Sequence, residues 1–187
     1  MSLSPVKYEI MASMLLLDKP ERAACIAKEV EKDFPSVMMH IIGLTRMGYA
    51  TSPEKGLYSL TGKGKKALGI PEINKENART ILAGTLHDKP FYFYTGIGKP
   101  LSIQANGLQD FCNKIRKVNS ESIDFHVSRG DFEAWFAGLN DSEIAKKVAL
   151  LKEKKLTGQT LYKKLQELVE NRCIVLATLA GQPVPSE

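Results

Sequence analysis

Residues 33–60 read DFPSVMMHIIGLTRMGYATSPEKGLYSL, and their pattern decides the N-terminal fold. Pro35, with Asp33 and Phe34 ahead of it, suits a first helical turn, where its missing N–H is no loss and the Asp33 carboxylate can meet exposed amides. Val37, Ile41, Leu44 and Gly48 follow at i, i+4, i+7 and i+11, which puts them on one buried helix face. Gly48 suits a left-handed helix end. Tyr49 to Thr51 then predicts a short strand, Pro53 to Gly56 a turn, and Leu57 to Leu60 the returning strand.

The flanks extend this pattern. Tyr8, Met11, Met14 and Leu15 recur at helical spacing between Pro5 and Leu17, and Asp18-Lys19-Pro20 ends that helix. Pro20 also suits the start of a second helix, with Ala23, Ala24, Ala27 and Val30 as a small-residue packing face. Beyond the strand pair, Thr61 caps a further helix that carries Lys63, Lys65 and Lys66.

These elements occupy residues 1–70. Ala24, Ile26, Ala27 and Val30, then Val37, Ile41 and Leu44, then Met47-Gly48-Tyr49 and the run from Tyr58 to Gly64 resemble the winged helix-turn-helix superfamily of archaeal and bacterial transcription regulators. The resemblance implies a domain that binds duplex DNA, typically as a homodimer, with the third helix in the major groove. Ser36, Met39 and Arg46 are then the expected groove contacts, and Lys55, Lys63, Lys65 and Lys66 the expected phosphate contacts. The face opposite Val37, Ile41 and Leu44 holds Met39, Ile42, Gly43 and Arg46, with Met38 to the side, and is poor in hydrogen-bonding groups. An exposed apolar face usually marks a partner, so a protein-interaction module using Met38, Met39 and Ile42 is the second expectation.

Residues 71–187 predict a separate α-rich domain with one or two short strands, suited to dimerisation or to sensing a small-molecule effector. Gly69-Ile70-Pro71 breaks the chain before a polar helical segment, Asn74 to Leu86. Phe91 to Thr95 is the strongest strand signal, best taken as core. Leu108, Phe111, Cys112 and Ile115 make an amphipathic helix. Ile123, Phe125 and Val127 alternate with polar residues and predict a strand, with a helical turn as the alternative. Ser128 to Asp131 has capping-box spacing before Phe132, Trp135 and Phe136. Asn140 or Asp141 opens a helix with Ile144, Val148 and Leu151 inside, and Thr157 opens the last, with Leu161, Leu165, Leu168 and Val169. His126, Asp131, Phe132 and Trp135 faintly resemble an uncharacterised prokaryotic domain family, a likeness that supports a domain boundary and carries no function.

The composition belongs to an ordinary globular protein: 43% hydrophobic and 25% charged residues, with a net charge of +5 that suits phosphate binding. Cys25, Cys112 and Cys173 are odd in number and far apart, which argues against a disulfide framework or a zinc site and for a reducing cytoplasm. No secretion signal or membrane span is expected, and Cys173 to Pro185 is too weakly apolar to be one. Gly96-Ile97-Gly98-Lys99-Pro100 lacks the first glycine and the magnesium-reaching hydroxyl of a phosphate loop, since Phe93 and Pro100 stand there. His40, His87 and His126 lack ligand spacing. His126 beside Asp124 and Asp131 suits either an acid/base site or, more often, a hydrogen-bonded structural histidine. The expectation is a mainly α, α+β protein without enzymatic activity, catalytic residue, metal or cofactor.

Overall fold

The computed structural model describes residues 3–84 and 89–184. The chain is α+β, with ten helices and two small antiparallel sheets among the described residues. It divides into two compact units, Met1–Glu72 and Ile73–Glu187.

The first unit contains α1 (Pro5–Leu17), β1 (Glu21–Arg22), α2 (Ala23–Glu29), α3 (Phe34–Arg46), β2 (Ala50–Thr51), β3 (Leu57–Leu60) and α4 (Gly62–Ala67). Its sheet runs β1-β3-β2. α1 ends where Asp18 turns left-handed at φ 59°. The Asp33 carboxylate accepts the Ser36 N–H at 2.9 Å, so α3 starts on a side-chain cap with Pro35 in its first turn. Val37, Ile41 and Leu44 are fully buried with Ile10, Met11 and Ile26.

Pro20 does not open the second helix. Glu21 and Arg22 extend instead and pair with Tyr58 and Leu57, because the β3 edge has backbone groups to satisfy and a neighbour in reach. α2 therefore begins at Ala23. It buries Ala23, Ile26, Ala27 and Val30 while Ala24 faces solvent, so Ile26 takes the packing role expected of Ala24.

The second unit contains α5 (Lys75–Ala83), β4 (Phe91–Gly96), β5 (Lys99–Ala105), α6 (Leu108–Ile115), α7 (Ser120–Arg129), α8 (Asp131–Gly138), α9 (Ser142–Glu153) and α10 (Gly158–Ala180). The helix expected to run to Leu86 ends at Ala83, with Gly84 as its left-handed cap. Leu86 and His87, like Pro185, lie outside the described residues. Phe91 and Phe93 point inward from β4 onto Phe111, Phe132 and Trp135, and α10 packs against α5, α6, α7 and α9. Within Gly96 to Pro100, Ile97 and Gly98 form the turn of the β4–β5 hairpin, and Lys99 to Ala105 forms a strand that its sequence did not announce. Cys112 and Cys173 are buried free thiols, and Cys25 is an exposed one.

Residues 123–127 are helical, against the strand expectation. Asn119 caps α7 by accepting the Ser122 N–H at 3.0 Å, and the inward set becomes Ile123, His126 and Val127 at i, i+3 and i+4. The alternation of Ile123, Phe125 and Val127 arose because Phe125 is only half-buried. The capping box at Ser128 is absent as well. The Ser128 hydroxyl donates back to the Phe125 carbonyl at 2.9 Å, and Gly130, left-handed at φ 78°, both closes α7 and leads into α8. Thr157 precedes α10, yet the cap comes from Asp124, whose carboxylate accepts the Gly158 N–H at 2.9 Å.

Candidate nucleic-acid interface

The outward stripe of α3 is Pro35, Met39, Ile42 and Arg46, with the same spacing as the buried stripe and half a turn away from it. Met39 is 67% and Ile42 39% exposed, and Arg46 is exposed too. Gly43, expected on this face, sits under the Lys7 side chain, whose Cε would lie 3.7 Å from an added Cβ. Ser36 and Met38 are half-buried at the margins, and the Ser36 N–H is committed to Asp33. Three apolar side chains and one guanidinium thus form the open face.

The β2–β3 hairpin turns through Gly56 at φ 81°, with the Ser52 hydroxyl donating to the Glu54 carbonyl at 2.8 Å and Lys55 exposed beside it. Its exit is clamped to the end of α3. The Thr61 hydroxyl donates to the Gly48 carbonyl at 2.7 Å while accepting the Gly64 N–H at 3.1 Å. Gly64 is needed there because a Cβ would run into the Tyr49 carbonyl oxygen.

The three α4 lysines expected on the phosphate backbone have different surroundings. The Lys63 ammonium donates to the Met47 carbonyl at 2.8 Å and lies 4.8 Å from the Tyr49 ring centroid, so it neutralises the carbonyl end of α3. Lys65 is half-buried and lines a cavity of about 160 Å³ with Met14, Asp18 and Ser59. Lys66 is exposed. The face that can meet a polyanion is therefore Arg46, Lys55 and Lys66, none of which forms an ion pair among the described residues.

Charge is polarised along this unit. From residue 34 to 71 the basic residues Arg46, Lys55, Lys63, Lys65 and Lys66 face a single acid, Glu54. In residues 1–33, Lys7, Lys19, Arg22, Lys28 and Lys32 are outnumbered by Glu9, Asp18, Glu21, Glu29, Glu31 and Asp33. Two of those cations are also paired, Lys19 with Glu21 at 3.4 Å and Lys32 with Glu9 at 3.1 Å. The positive potential belongs to the segment of α3, the hairpin and α4.

In the second unit His126 takes the structural role. It is 3% exposed, its Nε2 accepts the Tyr94 N–H at 2.8 Å, and its Nδ1 donates to Asp131 at 2.8 Å. Both nitrogens are occupied. Burial lowers its pKa below the ordinary 6.5, against the upward pull of Asp131. As pH falls from 7 to 5, the unfolded chain takes up a proton that the folded histidine resists, so this residue makes stability fall toward acid pH. His126→Gln, which keeps a donor and an acceptor, is expected to flatten that part of the pH dependence in denaturation curves; an unchanged slope would refute the assignment.

Sequence reading missed the cluster of Arg172, Asp141, Glu143 and Lys147, all buried and mutually hydrogen-bonded. The Glu143–Lys147 spacing of i, i+4 was its one local signal. It also missed the groove of Tyr92, Phe125 and Arg129, in which Tyr92 of β4 stands more than thirty residues before the two α7 members. Among the described residues no three His, Cys, Asp or Glu side chains form a metal-sized group, and no helix is long and apolar enough to cross a membrane. Comparison with protein-family models, curated proteins and solved structures finds no match to this chain.

Proposed function

We propose that the protein is a DNA-binding transcriptional regulator of the winged helix-turn-helix type, acting in the cytoplasm and binding duplex DNA as a homodimer. In this reading α2 and α3 are the helix-turn-helix pair and the β2–β3 hairpin is the wing. The observation that carries it is the polarised charge around an α3 stripe left open to solvent. Arg46 is the side chain for a phosphate or a guanine edge. Met39 and Ile42 suit the thymine methyl group, which favours a site containing A·T pairs. Lys55 at the wing and Lys66 on α4 supply phosphate contacts, while Lys63 holds α4 to the end of α3.

Fluorescence anisotropy on a labelled random duplex tests this directly. Three phosphate-neutralising side chains should give a log–log slope of affinity against salt of roughly −2.7, at about 0.9 per neutralised phosphate. Absence of saturable binding at about 50 mM salt would exclude the regulator reading. The exposed apolar pair Met39 and Ile42, with Met38 beside it, favours the alternative, a protein-interaction module. A salt-insensitive complex lost on Met39→Ser would support that module instead.

A further inference from the structure

The second unit holds a groove of about 490 Å³ between the β4–β5 hairpin and α7, within the size range of small-molecule sites. It follows from strand alternation: Phe91 and Phe93 enter the core, so Tyr92 and Tyr94 turn out onto the other face of β4. Phe125 comes from α7. Arg129, one helical turn later, lies over the Phe125 ring at 5.2 Å from its centroid. Ile97, 87% exposed at the hairpin tip, stands at the mouth.

The polar end is built by a chain of hydrogen bonds. Buried His126 fixes β4 through the Tyr94 N–H and donates from Nδ1 to Asp131. The same Asp131 oxygen accepts Arg129 Nε at 3.1 Å. The guanidinium is therefore held at its Nε edge and by the ring beneath it, and its two terminal amino groups have no hydrogen-bond partner among the described residues. Two donors in a fixed plane match one carboxylate, and the aromatic walls match a flat ring at stacking distance.

We propose that this groove binds a planar aromatic monocarboxylate, the carboxylate on Arg129 and the ring against Tyr92, Tyr94 and Phe125. A single guanidinium suits a single carboxylate; a polyphosphate would need further cations, and none of the other lining residues is a Lys or Arg. The site stands on its own geometry and does not depend on duplex binding.

The test is isothermal titration calorimetry of the full chain with 2-naphthoate, against 2-naphthalenemethanol, which lacks the charge, and cyclohexanecarboxylate, which lacks the flat ring. The expected result is saturable one-site binding of the naphthoate, at least tenfold tighter than either comparator. Arg129→Ala and Tyr92→Ala should each weaken it about tenfold, and Arg129→Lys should restore only part of the loss, because an ammonium lacks the fork. Both side chains are exposed, so the variants should unfold at the parent's denaturant midpoint. Lack of saturable binding, equal affinity for the comparators, or unaltered affinity in both alanine variants would overturn the proposal.

Discussion

The combined variant Arg46→Ala, Lys55→Ala, Lys66→Ala is expected to bind random duplex on the order of a thousandfold more weakly than the parent at about 50 mM salt. Each phosphate that goes unneutralised takes about 0.9 off the salt slope, and at this ionic strength that is worth about one decade of affinity. All three side chains are exposed and outside any ion pair among the described residues, so their removal should leave the denaturation midpoint alone. Lys63→Ala should do the opposite. Its ammonium is hydrogen-bonded to Met47 and lies against Tyr49, so the loss is one of stability, on the order of 1 kcal/mol, with the slope nearly kept. A triple variant that binds like the parent would remove these residues from the interface. A Lys63 variant that loses a full unit of slope at unchanged stability would reverse the division of roles.

Arg172→Ala is expected to destabilise the second unit by about 3–5 kcal/mol, the range found when one member of a buried ion cluster is deleted. Arg172 is 4%, Asp141 0%, Glu143 5% and Lys147 1% exposed. The guanidinium donates to both Asp141 oxygens, from Nε at 2.9 Å and Nη2 at 2.8 Å, and from Nη1 to Glu143 at 2.8 Å. Lys147 completes the set at 2.9 Å from Glu143. Deletion of the arginine leaves two buried carboxylates facing one ammonium, in a domain whose total stability is typically about 5–15 kcal/mol. Arg172→Met combined with Asp141→Asn should recover part of the loss, because the stranded Asp141 charge goes, Glu143 keeps its Lys147 partner, and residue 141 can still cap α9 at Ile144. Trp135 is the chain's one tryptophan and lies in this unit's core, so its fluorescence through a denaturant titration reads the effect. A loss below about 1 kcal/mol would mean that water or rearrangement satisfies the carboxylates.

The N-terminal unit was largely legible because its signals are local. A cap, a stripe and a left-handed glycine act within one or two turns of chain, so Asp33, Val37-Ile41-Leu44 and Gly48 state the helix from Phe34 to Arg46 almost residue by residue. β1 was not legible. Two residues after a proline carry no strand signal, and they extend only because Tyr58 and Leu57, more than thirty residues later, offer an edge. Of the candidate nucleic-acid contacts, Arg46, Lys55 and Lys66 are open, whereas Lys63 was diverted by a carbonyl that only packing brings to it. The outward position of Met39 and Ile42 followed from helical phase, but their solvent exposure did not.

The same division holds in the second unit. Residues 123–127 alternate in a way that suits a strand, and the helix won because Asn119 caps it and because β4 and α10 cover its Ile123, His126 and Val127 side. By itself the sequence determined the caps of α3, α4 and α9, the β2–β3 turn, the two buried stripes of α3 and α10, and the separation of a basic segment from a nearly neutral one. Each depends on residues at most a few turns apart, or on composition alone. Only the tertiary structure decided that His126 meets Asp131 and Tyr94, and that Arg172 closes on Asp141 across 31 residues. Such pairings form because burial leaves each polar group no water to return to, and the partner is whichever group the packed backbone brings within reach.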